Sequence, residues 1–126
     1  MEIREGRVDD FMNRLQSLFA GFGHDLKFDE ERNVQNAMLL IFSLVGIHAD
    51  AEVRNSDGRI DILVRTADYV YIMELKYNRS AEEALRQIEE KEYALPWSVD
   101  SRNVIEIGIN YSSEKRRIDD WVVKRV

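Results

Sequence analysis

Tyr69-Val70-Tyr71-Ile72-Met73-Glu74-Leu75-Lys76-Tyr77 decides the fold. Its aromatic and β-branched residues are apolar on both faces as far as Met73, which reads as a strand at the centre of a sheet. Glu74 and Lys76 break that pattern. They lie two apart, so they share the face of Val70 and Ile72. A strand face that looks buried and then turns ionic carries charge where desolvation is costly.

Upstream, Ile60 to Arg65 reads as the return strand of a hairpin begun by Ala49 to Arg54. The connection is Asn55-Ser56-Asp57-Gly58, and Asp-Gly between apolar runs is a hairpin signal. Thr66-Ala67-Asp68 makes a second tight turn into the central strand. Antiparallel neighbours bring Asp61 beside Glu74. Two adjacent carboxylates repel unless a cation separates them, and an all-oxygen donor set suits Mg²⁺. Lys76 then lies beside an attacking water or the charge developing on a phosphoryl group.

Downstream, Ser80-Ala81-Glu82-Glu83 fits a capping box opening a helix whose buried side holds Ala84, Leu85, Ile88 and Tyr93. Pro96 breaks the chain. Asn103 to Asn110 is a strand, Ser112 to Arg117 a charged turn, and Ile118 to Val126 a final edge strand. Two helices precede the hairpin. The first, Val8 to Phe22, puts Val8, Phe11, Leu15, Leu18, Phe19 and Phe22 on one face, and Gly21 and Gly23 end it. After a polar connector from Gly23 to Phe28, the second runs from about Asp29 to Gly46. Its C-terminal half is apolar nearly all round and is expected to be deeply packed. The order α-α-β-β-β-α-β-β implies an α/β fold with a mixed central sheet flanked by helices. The 126 residues suit one domain, a helical lead-in over about 8–22 and a core over about 29–126.

Composition narrows the function. Eighteen basic against 24 acidic residues give a net charge of −6, so the chain lacks the overall basic footprint of most nucleic-acid binders. With no cysteine, disulfides, thiolate metal sites and Cys nucleophiles are excluded, which favours a cytoplasmic setting. No apolar run approaches the ~20 residues of a membrane span. The charged start, Met1 to Gly6, is unlike a signal peptide.

Asp61 followed by Glu74-Leu75-Lys76 resembles the core of the PD-(D/E)XK nuclease superfamily. The wider pattern is Gly58-Arg59-Ile60-Asp61, Tyr71 to Lys76, Ala84-Leu85-Arg86-Gln87-Ile88, Tyr93-Ala94 and Gly108-Ile109-Asn110-Tyr111-Ser112. It is similar to the branch found C-terminal to AAA-type ATPase domains in bacterial proteins. The resemblance implies a restriction-endonuclease-like core and nuclease activity, with DNA as the substrate. It implies Asp61, Glu74 and the Leu75 carbonyl as ligands for Mg²⁺ or Mn²⁺, and Lys76 as the catalytic lysine. Glu31 matches an acidic residue supplied by the first core helix, and Gln87 a glutamine placed beside the site. Tyr93 is a weaker match, and Ile60 stands where the motif nominally has proline.

Each residue also has a plainer role. Glu74 and Lys76 could be ion pairs on an edge strand, Asp61 a turn cap, and Glu31 a carboxylate favoured by the helix dipole. Gln87 and Tyr93 could be packing or surface residues. His24 and His48 lack partners at ligand spacing. Lys115-Arg116-Arg117 reads as a solvated turn, and Trp97 and Trp121 as core or interface aromatics. The rival to an enzyme is a non-catalytic nuclease-like module serving a partner ATPase. Either form is compatible with a homodimer through Ile118–Val126 or Val8–Phe22.

Overall fold

The computed structural model describes residues 1–21, 28–55 and 58–126. Helices α1 (Val8–Ala20) and α2 (Glu31–Leu44) precede strands β1 (Ala49–Asn55), β2 (Gly58–Arg65) and β3 (Tyr69–Tyr77). Helix α3 (Ala81–Glu90), a short 3₁₀ turn at Leu95–Trp97, and strands β4 (Asn103–Ser112) and β5 (Arg117–Arg125) complete the chain. The expected Phe22, the stop at Gly23, His24 and the Ser56-Asp57 turn lie outside the described residues.

The sheet runs β1-β2-β3-β4-β5, with β3 in the centre and β3–β4 its one parallel pair. A parallel pair needs a crossover, and α3 supplies it. α1 and α2 cover one face, where Phe11, Phe19, Met38 and Phe42 pack on Tyr71, Met73, Ile107 and Ile109. α3 covers part of the other, with Ile88 and Tyr93 against Ile60, Leu63, Ile72 and Val104. Fully burying each such aliphatic side chain contributes about 1.5–3 kcal/mol.

Gly108 sets how closely α3 approaches. A Cβ there would lie 2.3 Å from the Ala81 carbonyl oxygen and 2.6 Å from the Leu85 nitrogen. The helix backbone therefore rests directly on β4. Ser80 caps α3 as its sequence implies, accepting the Glu83 N–H at 3.1 Å. The capping box is half made, because the Glu83 carboxylate pairs instead with Arg79 at 2.8 Å.

One expectation fails. α2 is not buried all round: Val34, Met38, Ile41 and Phe42 face the core, while Leu40 is 60% and Leu44 76% exposed. A helix laid across one sheet face can bury only the stripe that meets it, whatever its opposite side carries. Leu18 of α1 is likewise 42% exposed.

Candidate active site

The β2–β3 ladder stops where the carboxylates meet. Pairing runs from Arg65↔Val70 to Ile62↔Met73, and Asp61 opposite Glu74 would come next. On the other side of β2, Ala51↔Ile62 and Val53↔Ile60 are paired, while Glu52, opposite Asp61, is skipped and takes a left-handed φ of 53°. Asp61 is thus released from both neighbouring strands.

The backbone groups freed by this opening find side chains, as buried polar groups must. The Leu75 N–H donates to Asp61 Oδ2 at 2.9 Å. The Asp61 carbonyl accepts from Gln35 Nε2 at 2.8 Å. Asp61 therefore holds β3 through its side chain, and α2 holds Asp61.

Glu74 is 4% exposed. Its Oε2 accepts from Gln87 Nε2 at 2.7 Å, and the Gln87 Oε1 accepts from the Lys76 ammonium at 2.7 Å. One amide on α3 thus links carboxylate and ammonium on β3. Glu74 Oε1 is buried with no hydrogen-bond partner among the described residues.

Burial, and then the charge of Asp61, push the Glu74 carboxyl up to about 9. Burial also raises Asp61, against the Leu75 N–H that favours its charged form. Glu31, in the first turn of α2, is raised by burial and by Asp61, opposed by Lys76 and Arg79. These carboxylates feel one another's charge, a situation that a proton or a cation relieves. Among the described residues, no three His, Cys, Asp or Glu side chains already close around one ion. The close pair is Asp61 with Glu74, so a metal would need backbone or water oxygens to complete its shell. The orphaned Glu74 Oε1 and the hard oxygen donors fit such an ion.

Asp61, Glu74, Lys76 and Gln87 come together, with Glu31 in electrostatic range. Leu75 sends its side chain to the opposite core. Tyr93 is 2% exposed, and its hydroxyl accepts the Arg59 N–H at 3.4 Å, which ties the start of β2 to the turn after α3. Sequence reasoning gave two residues no role. Gln35 lies one turn after Glu31, at the i, i+4 spacing that puts both on one helix face. Asn110 holds the loop after β3, its Oδ1 accepting the Arg79 N–H at 2.9 Å. It could have been found as a polar residue within an apolar strand, in register with Lys76.

His48 stays outside, exposed and 3.0 Å from Asp50. Among the described residues, no helix is long and apolar enough to cross a membrane.

Comparison with known proteins points the same way. A family model described as the PD-(D/E)XK nuclease superfamily matches residues 29–121. The chain is similar to an uncharacterized protein in the vnfD 5′ region of Azotobacter chroococcum mcd 1, at 27% identity over 121 residues. That match covers 87% of this chain and 23% of the relative, so the chain spans about a quarter of the relative's length. No solved structure matches.

Proposed function

Since the chain belongs to the PD-(D/E)XK nuclease superfamily, we propose that it is a Mg²⁺-dependent phosphodiester hydrolase acting on DNA, its 126 residues forming one nuclease-like domain. The observation that carries this is the buried Glu74 Oε1, without a hydrogen-bond partner among the described residues, beside Asp61 where the ladder opens. Asp61, Glu74 and the Leu75 carbonyl would hold the ion, with Mn²⁺ an alternative of similar preference. A divalent ion there supplies Lewis acidity to a phosphoryl group.

The chain's own residues supply the rest. Lys76, restrained by Gln87, sets a positive charge where the transferring phosphoryl group gathers negative charge. Gln87 also fixes the Glu74 carboxylate. Glu31 adds negative potential that draws a cation to the site. Hydrolysis then adds water across a P–O bond, leaving a phosphate monoester and a hydroxyl. The absence of cysteine supports a cytoplasmic setting.

The test is nicking of supercoiled plasmid with and without Mg²⁺ by wild type, Asp61→Ala and Lys76→Ala. Metal-dependent nicking by wild type alone is expected, and equal behaviour of all three ends the reading.

The net charge of −6 favours a second reading, a non-catalytic module working with an AAA-type ATPase. Titration calorimetry with Mg²⁺ or Mn²⁺ separates the two. Heat that disappears in Glu74→Ala supports the hydrolase, and no binding at millimolar metal supports the module.

A further inference from the structure

The charge of this chain is unevenly placed. Beside Lys76 and Gln87 opens a cavity of about 340 Å³ whose other walls are Arg79, Glu83, Arg86, Glu90 and Lys91. Four cations against two carboxylates leave this concavity net positive on a chain of net −6.

The cations follow a track. Glu83, Gln87 and Lys91 are spaced i, i+4, i+8, with Arg86 and Glu90 between them, so they form one stripe along α3 and its C-terminal cap. At 1.5 Å per residue the stripe runs about 12 Å from Glu83 to Lys91. That spans several backbone phosphates at about 3.4 Å of rise per base. Gln87, midway along the stripe, also bonds Glu74, so the track passes the candidate site.

Two of its cations are unengaged. Arg86 has Glu82 and Glu90 four residues away on either side, the spacing at which surface ion pairs form on helices. Among the described residues, neither Arg86 nor Lys91 makes an ion pair, whereas Arg79 is held by Glu83 and Lys124 by Glu89. A solvated helix face pairs its opposite charges at low gain. Here two cations stay open to the cavity.

Given the nuclease reading above, we propose that this cavity is a phosphate-binding cleft in which Arg86 and Lys91 hold the polynucleotide backbone flanking the bond to be cut. The contacts are ionic and read no bases, so binding is independent of sequence. A net positive cleft on an acidic protein also draws the polymer to the face that holds the site.

The experiment uses fluorescence anisotropy of a 5′-fluorescein-labelled 20-base-pair duplex, without divalent metal, across a series of salt concentrations. The parent chain is compared with R86E/K91E and with R7E/R65E, which changes net charge equally at surface ion pairs elsewhere. Circular dichroism melts establish that all three fold. Expected for R86E/K91E is an affinity loss of about tenfold or more, with the slope of log K against log salt reduced by about 1.8. R7E/R65E should keep the parent slope. Equal affinity and slope in parent and R86E/K91E overturn the cleft while leaving the nuclease reading intact, because plasmid nicking reads hydrolysis separately. Equal losses in both variants also overturn it, assigning the effect to net charge. A parent chain that nicks plasmid yet shows no salt-dependent duplex binding overturns it as well.

Discussion

Glu74 and Glu106 stand on neighbouring strands, face the same side of the sheet and are each 4% exposed. Each has a buried Oε1 without a hydrogen-bond partner among the described residues. Burial raises the pKa of both. Their company differs. After burial, the largest influence on Glu74 is another carboxylate, Asp61, whereas for Glu106 it is the Lys124 ammonium. Lys124 faces Glu106 across the ladder and pairs with Glu89 at 3.0 Å. The ladder is also continuous at Glu106, paired to Ile72 and Lys124, and open between Asp61 and Glu74. A buried glutamate is therefore not a site by itself. What sets Glu74 apart is the dominant charge of a neighbouring carboxylate, Asp61, and a gap in the sheet, the two features on which the proposed site rests.

The largest expected effect tests that distinction directly. Glu74→Gln keeps shape and removes charge, and it should lower Mg²⁺-dependent cleavage by about a hundredfold or more. Glu106→Gln should leave cleavage within about threefold. Equal losses in a plasmid-nicking time course would erase the difference between the two glutamates.

Gly108 lies between them in the structure, next but one to Glu106 and in register with Glu74. Gly108→Ala forces a methyl into the Ala81 and Leu85 backbone, which cannot yield as a side-chain tip would. A loss of about 2 kcal/mol in urea unfolding is expected from overpacking. Cleavage should fall as well, because α3 must lift and take Gln87 away from Glu74 and Lys76. Wild-type stability in this variant would show that α3 does not rest on β4 as closely as described.

A smaller effect lies in pH. Glu74 titrates near 9 folded and near 4.5 unfolded, so between those values the folded chain binds the extra proton. The stability this contributes is complete below about pH 4.5 and is lost as pH rises toward 9. The metal-free Tm should thus decline from pH 5 to 9, and Glu74→Gln should flatten the decline. A cation replaces that proton, so Mg²⁺ should raise Tm more at pH 8.5 than at pH 6. A pH-independent effect of Mg²⁺ would remove the carboxyl pair from metal binding.

Much of this geometry was legible in the sequence, for specific reasons. β3 was readable in full because an apolar run interrupted by Glu-x-Lys has one register, and Ser80 announced α3 by its own capping chemistry. The closeness of Asp61 to Glu74 followed from hairpin pairing alone. The opening of the ladder did not, because it depends on the Asp61 and Gln35 side chains satisfying the Leu75 N–H and the Asp61 carbonyl that it frees. The exposed side of α2 was unreadable too. Leu40 and Leu44 have the composition of core residues, and they lie outside because the helix meets the sheet along the single stripe of Val34, Met38, Ile41 and Phe42.

The smallest effect sharpens the comparison by making the second glutamate resemble the first. Lys124→Met removes the cation facing Glu106. Lys124 is 49% exposed, so the loss of its surface pairing should lower stability by less than about 1 kcal/mol near neutral pH. The pH signature should change more than the magnitude. Without its counter-charge, Glu106 holds its proton to higher pH, and a decline of Tm with rising pH should appear beyond that of the wild type. Mg²⁺ should not reverse this added decline, because β4 remains paired on both sides and Glu89 lies on the helix rather than beside Glu106 in the ladder. Reversal by Mg²⁺ in Lys124→Met would mean that a buried carboxylate with a second carboxylate nearby recruits a metal wherever it lies, and that the gap in the sheet is incidental to the site.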